Sequence, residues 1–209
     1  CGEDGPSGCD NACGSTLEND ECGVCGGSGI PDGYNCDGTP VLFIHNSSTQ
    51  QAFYYFYTVT IDGDNVDADD WVGAFNNNTT CVGARRWDNC DGDLCDVPVY
   101  GTMGNDLTEG YMIPGGIPTF KIYDTSENSY YDAVITGDIT DAGGNIVSGG
   151  WSNFGLNIAD NLNVEPDCNG DLGGNAEIDE CGVCGGSGIA DGACDCDGNV
   201  DLGCGCGEA

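Results

Sequence analysis

One cysteine-rich segment occurs twice in this chain and constrains its fold more than any other feature of the sequence. Residues 20–30 read Asp-Glu-Cys-Gly-Val-Cys-Gly-Gly-Ser-Gly-Ile, and residues 179–189 are identical at an offset of 159. An identical run of this length is an internal repeat. It predicts two copies of a small module that flank a different central region. Residues 1–3 and 206–208 also share Cys-Gly-Glu. This match is explained by a unit cut from a longer tandem array, by a head and a tail that dock in similar places, or by coincidence.

The cysteine content indicates how such modules can be held together. Of 209 residues, 16 are cysteine and 37 are glycine, and residues 1–40 show no hydrophobic period. Because a segment of this kind cannot fold around an apolar core, we expect disulfides and bound ions to stabilise it. Disulfides imply an oxidising compartment, and no apolar run is long enough to span a bilayer. The sequence therefore predicts a mature, secreted fragment without membrane insertion.

The chain is strongly acidic, with 36 Asp and Glu against 3 Lys and Arg and a formal net charge of −33. This charge excludes a nucleic-acid binder that acts through a basic patch, and it argues against docking on anionic lipid. Such a chain repels itself unless cations neutralise it, and divalent cations are the obvious candidates. The alternative is a solvated acidic surface, as in a salt-adapted protein.

Composition divides the chain into a Cys/Asp-rich module at 1–40, a β domain at 41–165 and a second Cys/Asp-rich module at 166–209. The central part has β-branched and aromatic runs punctuated by turn residues, and no helical period. We predict an all-β fold: a central β-sandwich, Ig-like or jelly-roll, flanked by two irregular modules that disulfides and calcium stabilise. The predicted strands are 41–45, 52–61, 71–76, 80–87, 97–103, 119–123, 130–135 and 155–158.

Aromatic residues of the central part are the candidates for its core. They alternate within the strand-like runs, which favours burial over exposure. The alternative is a surface on which sugar rings stack. The candidates are Trp71, Phe75, Trp87, Phe120, Tyr123 and Trp151.

Oxygen-bearing side chains at alternate positions are the most specific metal signal in the chain. Asp195, Asp197, Asn199 and Asp201 follow one another around Gly198. Calcium takes about six to eight oxygen ligands, and alternate Asp and Asn in a turning loop can direct them inward. The start matches an EF-hand loop, but no closing Glu and no helices accompany it. We predict calcium sites here and at the similar stretches with Asp167, Asn169, Asp171, Asn35 and Asp37.

The loop at 62–70 is a further calcium candidate because it holds five aspartates between two predicted strands. Its proposed ligands are Asp62, Asp64, Asp67 and Asp69. The alternative is an acidic hairpin loop in which Asp side chains cap turns.

The two Cys-x-x-Cys pairs, Cys22 with Cys25 and Cys181 with Cys184, are interpreted as members of structural disulfides. The sequence leaves the partners open, since many pairings are possible. Half-sites for zinc are the alternative, but a single His and acidic surroundings disfavour them. A redox pair would need a βαβ context that is missing here.

The central part contains three cysteines, which is an odd number. Cys90 and Cys95 are close enough in sequence to close a small loop. That pairing would leave Cys81 to bond with the C-terminal module or with another chain.

Three asparagines, Asn46, Asn77 and Asn78, begin sequons for N-glycosylation, which predicts a glycoprotein unless the source leaves them bare. No catalytic constellation is visible. The single histidine is His45, and no Gly-x-Ser-x-Gly motif marks a nucleophile. We expect a protein that is not an enzyme.

The Cys/Asp segments resemble the calcium-binding, thrombospondin type 3-like repeats of secreted proteins. The resemblance lies in Asp-Glu-Cys-Gly-Val-Cys-Gly-Gly at 20–27 and 179–186 and in the alternating acids at 195–201. It implies that aspartates wrap calcium ions and that disulfides staple the loops. The family's longer aspartate runs are replaced here by glycine-rich cysteine pairs. The stretches 70–75, 81–84 and 118–124 look like β domains of large secreted bacterial surface proteins.

Together these features predict an extracellular structural protein, a subunit of a calcium-stabilised head-to-tail filament or tandem surface array. Self-association is then the expected partnership. The alternative is a carbohydrate-binding or adhesin module of a large secreted protein, with glycans as ligands and the repeats as spacers. A weaker third class is a fragment of a secreted hydrolase whose catalytic domain lies elsewhere.

Overall fold

The computed structural model describes residues 6–89 and 95–200. Contacts divide the chain into two compact units, of which one ends at Asn46 and the other begins at Ser47. Cys90 and Asp201, which the sequence marks as a disulfide cysteine and a calcium ligand, lie outside the described residues. In the described residues, no helix combines the length and apolarity that a bilayer crossing requires.

The first unit has little regular structure. Strands β1 (Pro6–Ser7) and β2 (Ala12–Cys13) pair antiparallel, and a 3-10 turn occupies Val41–Phe43. The prediction of a strand at 41–45 is wrong, because the Phe43 N–H donates to the Pro40 carbonyl at 2.8 Å and turns the chain.

The second unit contains a mixed β-sheet in which most predicted strands are present. Its strands are β3 (Gln51–Ile61), β4 (Asp64–Asn65), β5 (Trp71–Asn76), β6 (Thr80–Arg86), β7 (Cys95–Tyr100), β8 (Thr119–Asp124), β9 (Ser129–Thr140), β10 (Ile146–Val147) and β11 (Leu156–Val164). The strand order is β4-β3-β11-β9-β8-β5-β6, and β7 also pairs with β3. Strand β9 is long: its first part pairs with β8, whereas its second part pairs with β10 and β11.

The sheet curls so that its two halves face each other across one core. Phe120 of β8 packs against Tyr54 and Phe56 of β3, with ring centroids 5.6 and 5.3 Å apart. These strands are not neighbours in the sheet, so the contact spans the core. The prediction of a mostly β fold is confirmed, and it takes the form of one continuous curled sheet.

The two ends of the sheet meet where β6 lies against β7. A Cβ on Gly83 would come within 1.7 Å of the Pro98 carbonyl oxygen, so only glycine permits this approach. Arg85 of β6 also forms an ion pair with Asp96 of β7 at 2.9 Å.

The core contains most of the predicted aromatic residues. Phe75, Phe120, Tyr123 and Trp151 are buried, and the Trp151 indole N–H donates to the Val99 carbonyl at 2.8 Å. Two further candidates, Trp71 and Trp87, are only half-buried. Sequence reasoning missed the core residues of β3 and β11, which include Ala52, Tyr54, Phe56, Val59, Leu162 and Val164.

Candidate functional site

Each repeat contains a pair of described disulfides, and the connectivity of the pair is the same in both repeats. We call such a pair a disulfide frame. In each pair, the second disulfide begins inside the loop that the first one closes, so the loops overlap. Cysteines of one Cys-x-x-Cys pair therefore bond outwards rather than to each other, and all four are confirmed as disulfide cysteines. The bonds are Cys9–Cys25 and Cys22–Cys36 in the first repeat, and Cys168–Cys184 and Cys181–Cys196 in the second.

A single carboxylate organises the identical segment in both repeats. Asp20 accepts hydrogen bonds from the backbone N–H groups of Cys22, Val24 and Gly29 at 2.9–3.1 Å. In the second repeat, Asp179 accepts from the N–H groups two, four and nine residues ahead, at 2.8–2.9 Å. We call this arrangement a carboxylate-centred turn. It satisfies polar backbone groups in a segment that has no helix or sheet to pair them.

The Gly-Gly pair of the repeated segment is explained by the space that its second residue has. A Cβ on Gly27 would lie 2.0 Å from the nearer carboxylate oxygen of Asp20, and one on Gly186 would lie 2.0 Å from that of Asp179. The second glycine therefore has to lack a side chain, because the carboxylate lies against its backbone.

A third carboxylate-centred turn begins at Asp167, where the sequence is less similar. Its carboxylate accepts from the N–H groups of Asn169, Asp171 and Ala176 at 2.8–3.1 Å. This turn lies against the sheet: Leu172 packs against the core, and a Cβ on Gly173 would be 2.9 Å from the backbone nitrogen of Asp132. The second repeat is thus anchored to the β domain within the second unit.

Shorter versions of the turn lie at Asn35 and Asp195. The Asn35 side-chain oxygen accepts from the N–H groups of Asp37 and Thr39 at 3.0 and 2.8 Å. Asp195 accepts from the N–H groups of Asp197 and Asn199 at 3.1 and 2.9 Å, and from the Asn199 side-chain amide at 2.7 Å.

Hydrogen bonding lowers the pKa of these aspartates. The Val24 N–H beside Asp20 and the Val183 N–H beside Asp179 are the largest causes, and both hold the pKa of the carboxyl below its ordinary value. The Asn199 side chain does the same for the pKa of Asp195. At Asp167, burial alone would raise the pKa, but the backbone N–H bonds outweigh it and the net shift is downward.

The leading residue of each predicted calcium motif in the repeats bonds the backbone. The carboxylate oxygens of Asp167 and Asp195 and the amide oxygen of Asn35 accept from backbone N–H groups, which occupies part of their acceptor capacity. Among residues 6–89 and 95–200, no three His, Cys, Asp or Glu side chains converge as metal ligands. The remaining predicted ligands in these turns are exposed: Asp37, Asn169, Asp171, Asp197 and Asn199. Calcium binding stays a prediction.

The acidic loop at 62–70 is held by Asp70, which the ligand prediction left out. Asp70 is 4% exposed, and its two oxygens accept from the N–H groups of Asp67 and Thr125 at 2.8 and 2.9 Å. Burial raises the pKa of this carboxyl, and the N–H bonds oppose the shift. The four predicted ligands of this loop are exposed: Asp62, Asp64, Asp67 and Asp69.

Cys81 forms no disulfide, so the predicted bond from this residue to the C-terminal module or to another chain is absent. It is a buried free thiol in β6, and burial raises its pKa to about 11. The side chain lies inside the sheet domain, where its thiol is 3.5 Å from the Gly83 carbonyl oxygen. Cys95 is disulfide-bonded, as the sequence predicts for it.

The sequon asparagines lie on the surface. Asn77 and Asn78 form the β5–β6 turn, both at positive φ, and the Thr79 N–H donates to the Asn76 carbonyl as in a type I′ turn. Asn46 is also exposed. Their position is compatible with glycans, and glycosylation stays a prediction.

All three basic residues of the chain are paired within the second unit. Arg85 bonds Asp96 at 2.9 Å, Arg86 bonds Asp88 at 3.3 Å, and Lys121 bonds Asp132. His45, predicted on a strand, lies outside one, and its Nδ1 is 2.8 Å from the Phe43 carbonyl oxygen. The repeats at 1–40 and 166–209 contain no Lys, Arg or His, so the partners that the structure shows for their carboxylates are neutral donors, such as backbone N–H groups and the Asn199 amide.

Comparison with protein-family models, curated proteins and solved structures finds no match for this chain. The likeness of its Cys/Asp segments to thrombospondin type 3 repeats therefore rests on their motifs alone.

Proposed function

We propose that this protein is an extracellular structural unit of a head-to-tail filament or tandem surface array. The observation that carries the proposal is the duplicated frame: both flanks share one disulfide connectivity and one carboxylate-centred turn around a different central domain. A connector that occurs on both sides of a domain suits serial joining. The chain's four described disulfides are consistent with secretion.

In this proposal the central domain is a sandwich-like spacer, since the halves of its curled sheet face each other. Calcium acts as the counter-ion of exposed carboxylates in the repeats, such as Asp37, Asp171 and Asp197, rather than of the aspartates at the centre of each turn. The net charge of −33 makes such screening necessary wherever copies approach each other.

Negative-stain microscopy of the oxidised protein, with calcium and with EDTA, tests this function. We expect filaments in millimolar calcium that fray on chelation. Size-exclusion chromatography with light scattering under the same conditions is the control for particle size. Single particles in both conditions would contradict assembly through calcium.

A carbohydrate-binding or adhesin module is the second candidate, and one residue favours it. Phe154 is 70% exposed and has φ +61, although bulky residues rarely adopt a left-handed backbone. Its N–H donates to the Gln51 carbonyl at 2.7 Å, which holds the ring at the surface. A glycan array with the Phe154→Ala variant as control decides the matter: saturable binding that the variant loses supports this candidate, and no binding contradicts it.

A further inference from the structure

The first and last long strands of the second unit carry the chain into and out of the sheet. β3 begins at Gln51, shortly after the unit begins, and β11 ends at Val164, directly before the second repeat. The two strands are parallel neighbours over eight residue pairs, from Phe53 with Leu156 to Ile61 with Val164. Parallel neighbouring strands begin at the same end of a sheet. The chain therefore enters β3 at one end of the sheet and leaves β11 at the opposite end.

Tension on the chain would act on these two strands in opposite directions. A pull on the amino-terminal side draws β3 towards its own start, and a pull on the carboxy-terminal side draws β11 towards its own end. Whichever strand leaves the sheet first, all eight pairs between them must break. Since the force runs along the strands, the pairs share the load and do not open one after another.

Side chains reinforce this pair on both faces of the sheet. On one face, the Thr58 hydroxyl donates to the Asn161 side-chain oxygen at 2.8 Å, and the Thr60 hydroxyl donates to that of Asn163 at 2.6 Å. These bonds cross between the strands beside the backbone ladder. On the other face, core residues of both strands are buried, among them Phe56, Val59, Ala159 and Leu162.

The disulfide frames of the repeats limit how far the flanks can extend. In the first repeat, tension between Cys9 and Cys36 passes through two disulfides and only the short backbone from Cys22 to Cys25. The second repeat has the same overlapping frame. Stretching therefore releases little chain length from either frame, and the load reaches the sheet.

We propose that the second unit bears tension along the chain, with the β3–β11 pair as its force-bearing element and the disulfide frames as nearly inextensible connectors. This inference rests on the proposed end-to-end function for its biological role. The mechanical property itself belongs to a single chain and does not require assembly.

Single-molecule force spectroscopy on the oxidised full chain tests the proposal through two attachment geometries. Handles at both chain ends load β3 and β11 along their length. Handles at the amino terminus and at Asn153, in the turn before β11, load the same pair from one edge. At equal force we expect about a hundredfold longer lifetime in the end-to-end geometry, equivalent to about 2.7 kcal/mol in barrier height.

A double substitution tests whether the difference in lifetime comes from the pairing of β3 with β11. Asn161→Ala with Asn163→Ala removes both side-chain bridges, and we expect about a tenfold shorter lifetime in the end-to-end geometry alone. Asn76→Ala, which removes an asparagine hydrogen bond to the Gly110 carbonyl elsewhere in the sheet, is the control. Equal lifetimes in the two geometries overturn the proposal, as does a double substitution that shortens both equally. Failure of the chain to assemble would contradict the proposed function and leave this result standing.

Discussion

The repeats and the β domain keep one chain folded by different means. The β domain buries apolar side chains such as Tyr54, Ile122 and Leu162 almost completely, as globular proteins of its size do. The repeats expose most of their few large apolar residues, including Val24 and Val183 at 56% and 55%. Covalent bonds and carboxylates bonded to backbone N–H groups replace the core there. A segment can therefore hold one conformation without burying apolar surface, provided that its loops are cross-linked and its polar groups satisfied.

Reduction of the disulfides should produce the largest difference in stability between the repeats and the β domain. Each frame closes loops of 14 to 16 residues, and a loop of about 15 residues contributes about 3 kcal/mol. We expect a protease that cleaves after Glu to cut a reduced chain at Glu18, Glu21, Glu177 and Glu180. Tryptic cleavage at Lys121 is the matched control, because this residue lies in β8 of the sheet and not next to β7, which holds the disulfide-bonded Cys95. Faster tryptic cleavage at Lys121 after reduction would show that the sheet also depends on the disulfides.

Truncation of a core side chain should destabilise the β domain and leave the repeats unchanged, which is the opposite of the effect of reduction. Leu162→Ala, at a fully buried position of β11, should lower the free energy of unfolding of the β domain by about 3 kcal/mol. Denaturant unfolding followed by tryptophan fluorescence measures this change, since all three tryptophans lie in that domain. Val183→Ala at an exposed repeat position is the control, with an effect below about 0.5 kcal/mol. If the two variants lowered the free energy of unfolding by similar amounts, the β domain and the repeats would not differ in their dependence on buried apolar side chains.

Acid should loosen the repeats before the sheet. The pKa values of Asp20, Asp179 and Asp195 are lowered in the folded chain, so their stabilising bonds are complete above the unfolded pKa, about 4, and are lost as pH falls through the lower folded values. Asp70 in the β domain has a raised pKa, so protonation relieves the cost of burying its charge. NMR spectra recorded from pH 6 to pH 2 should show amides of the repeats changing first. Simultaneous loss of sheet amides would contradict this order.

Single substitutions at the centre of a turn should have the smallest and most local effect. Asp179→Ala removes three hydrogen-bond acceptor contacts, whereas Asp179→Asn keeps one oxygen for the Cys181 and Val183 N–H groups. We expect the Gly188 amide to exchange about tenfold faster in both variants, and the Val183 amide to do so only in Asp179→Ala. Unchanged exchange at Val183 in the alanine variant would mean that the disulfides alone hold the turn.

The sequence predicts the two regions unequally. Strand β5 is predicted at its observed bounds, 71–76, because apolar runs between turn residues mark strands directly. The parallel pairing of β3 with β11 is not predictable in this way, since it joins residues about 100 positions apart and strand patterns carry no information on partners. At 41–45, an apolar run led to the wrong prediction of a strand, because the backbone turns after Pro40 instead of extending.

The spacing of Asp and Asn in the repeats is a clear signal that fits two kinds of loop. Alternate Asp and Asn are predicted to be calcium ligands, and the structure shows that the first of each set bonds the backbone N–H groups two and four residues ahead. Asx turns and metal loops share this spacing, because both need oxygen atoms inside a tight turn. The long reach from Asp20 to Gly29 leaves one trace in the sequence, the Gly-Gly pair that makes room for the carboxylate.

Residue-resolved hydrogen exchange on oxidised and reduced samples of the wild-type and Leu162→Ala proteins tests most directly whether the two regions are stabilised independently. We expect that reduction raises exchange in residues 6–46 and 178–200, that the substitution raises it in the sheet, and that the two effects add in the doubly perturbed sample. Two results would contradict independent stabilisation: exchange in the first repeat that rises with Leu162→Ala alone, or exchange in sheet strands other than β7, which holds the disulfide-bonded Cys95, that rises with reduction alone.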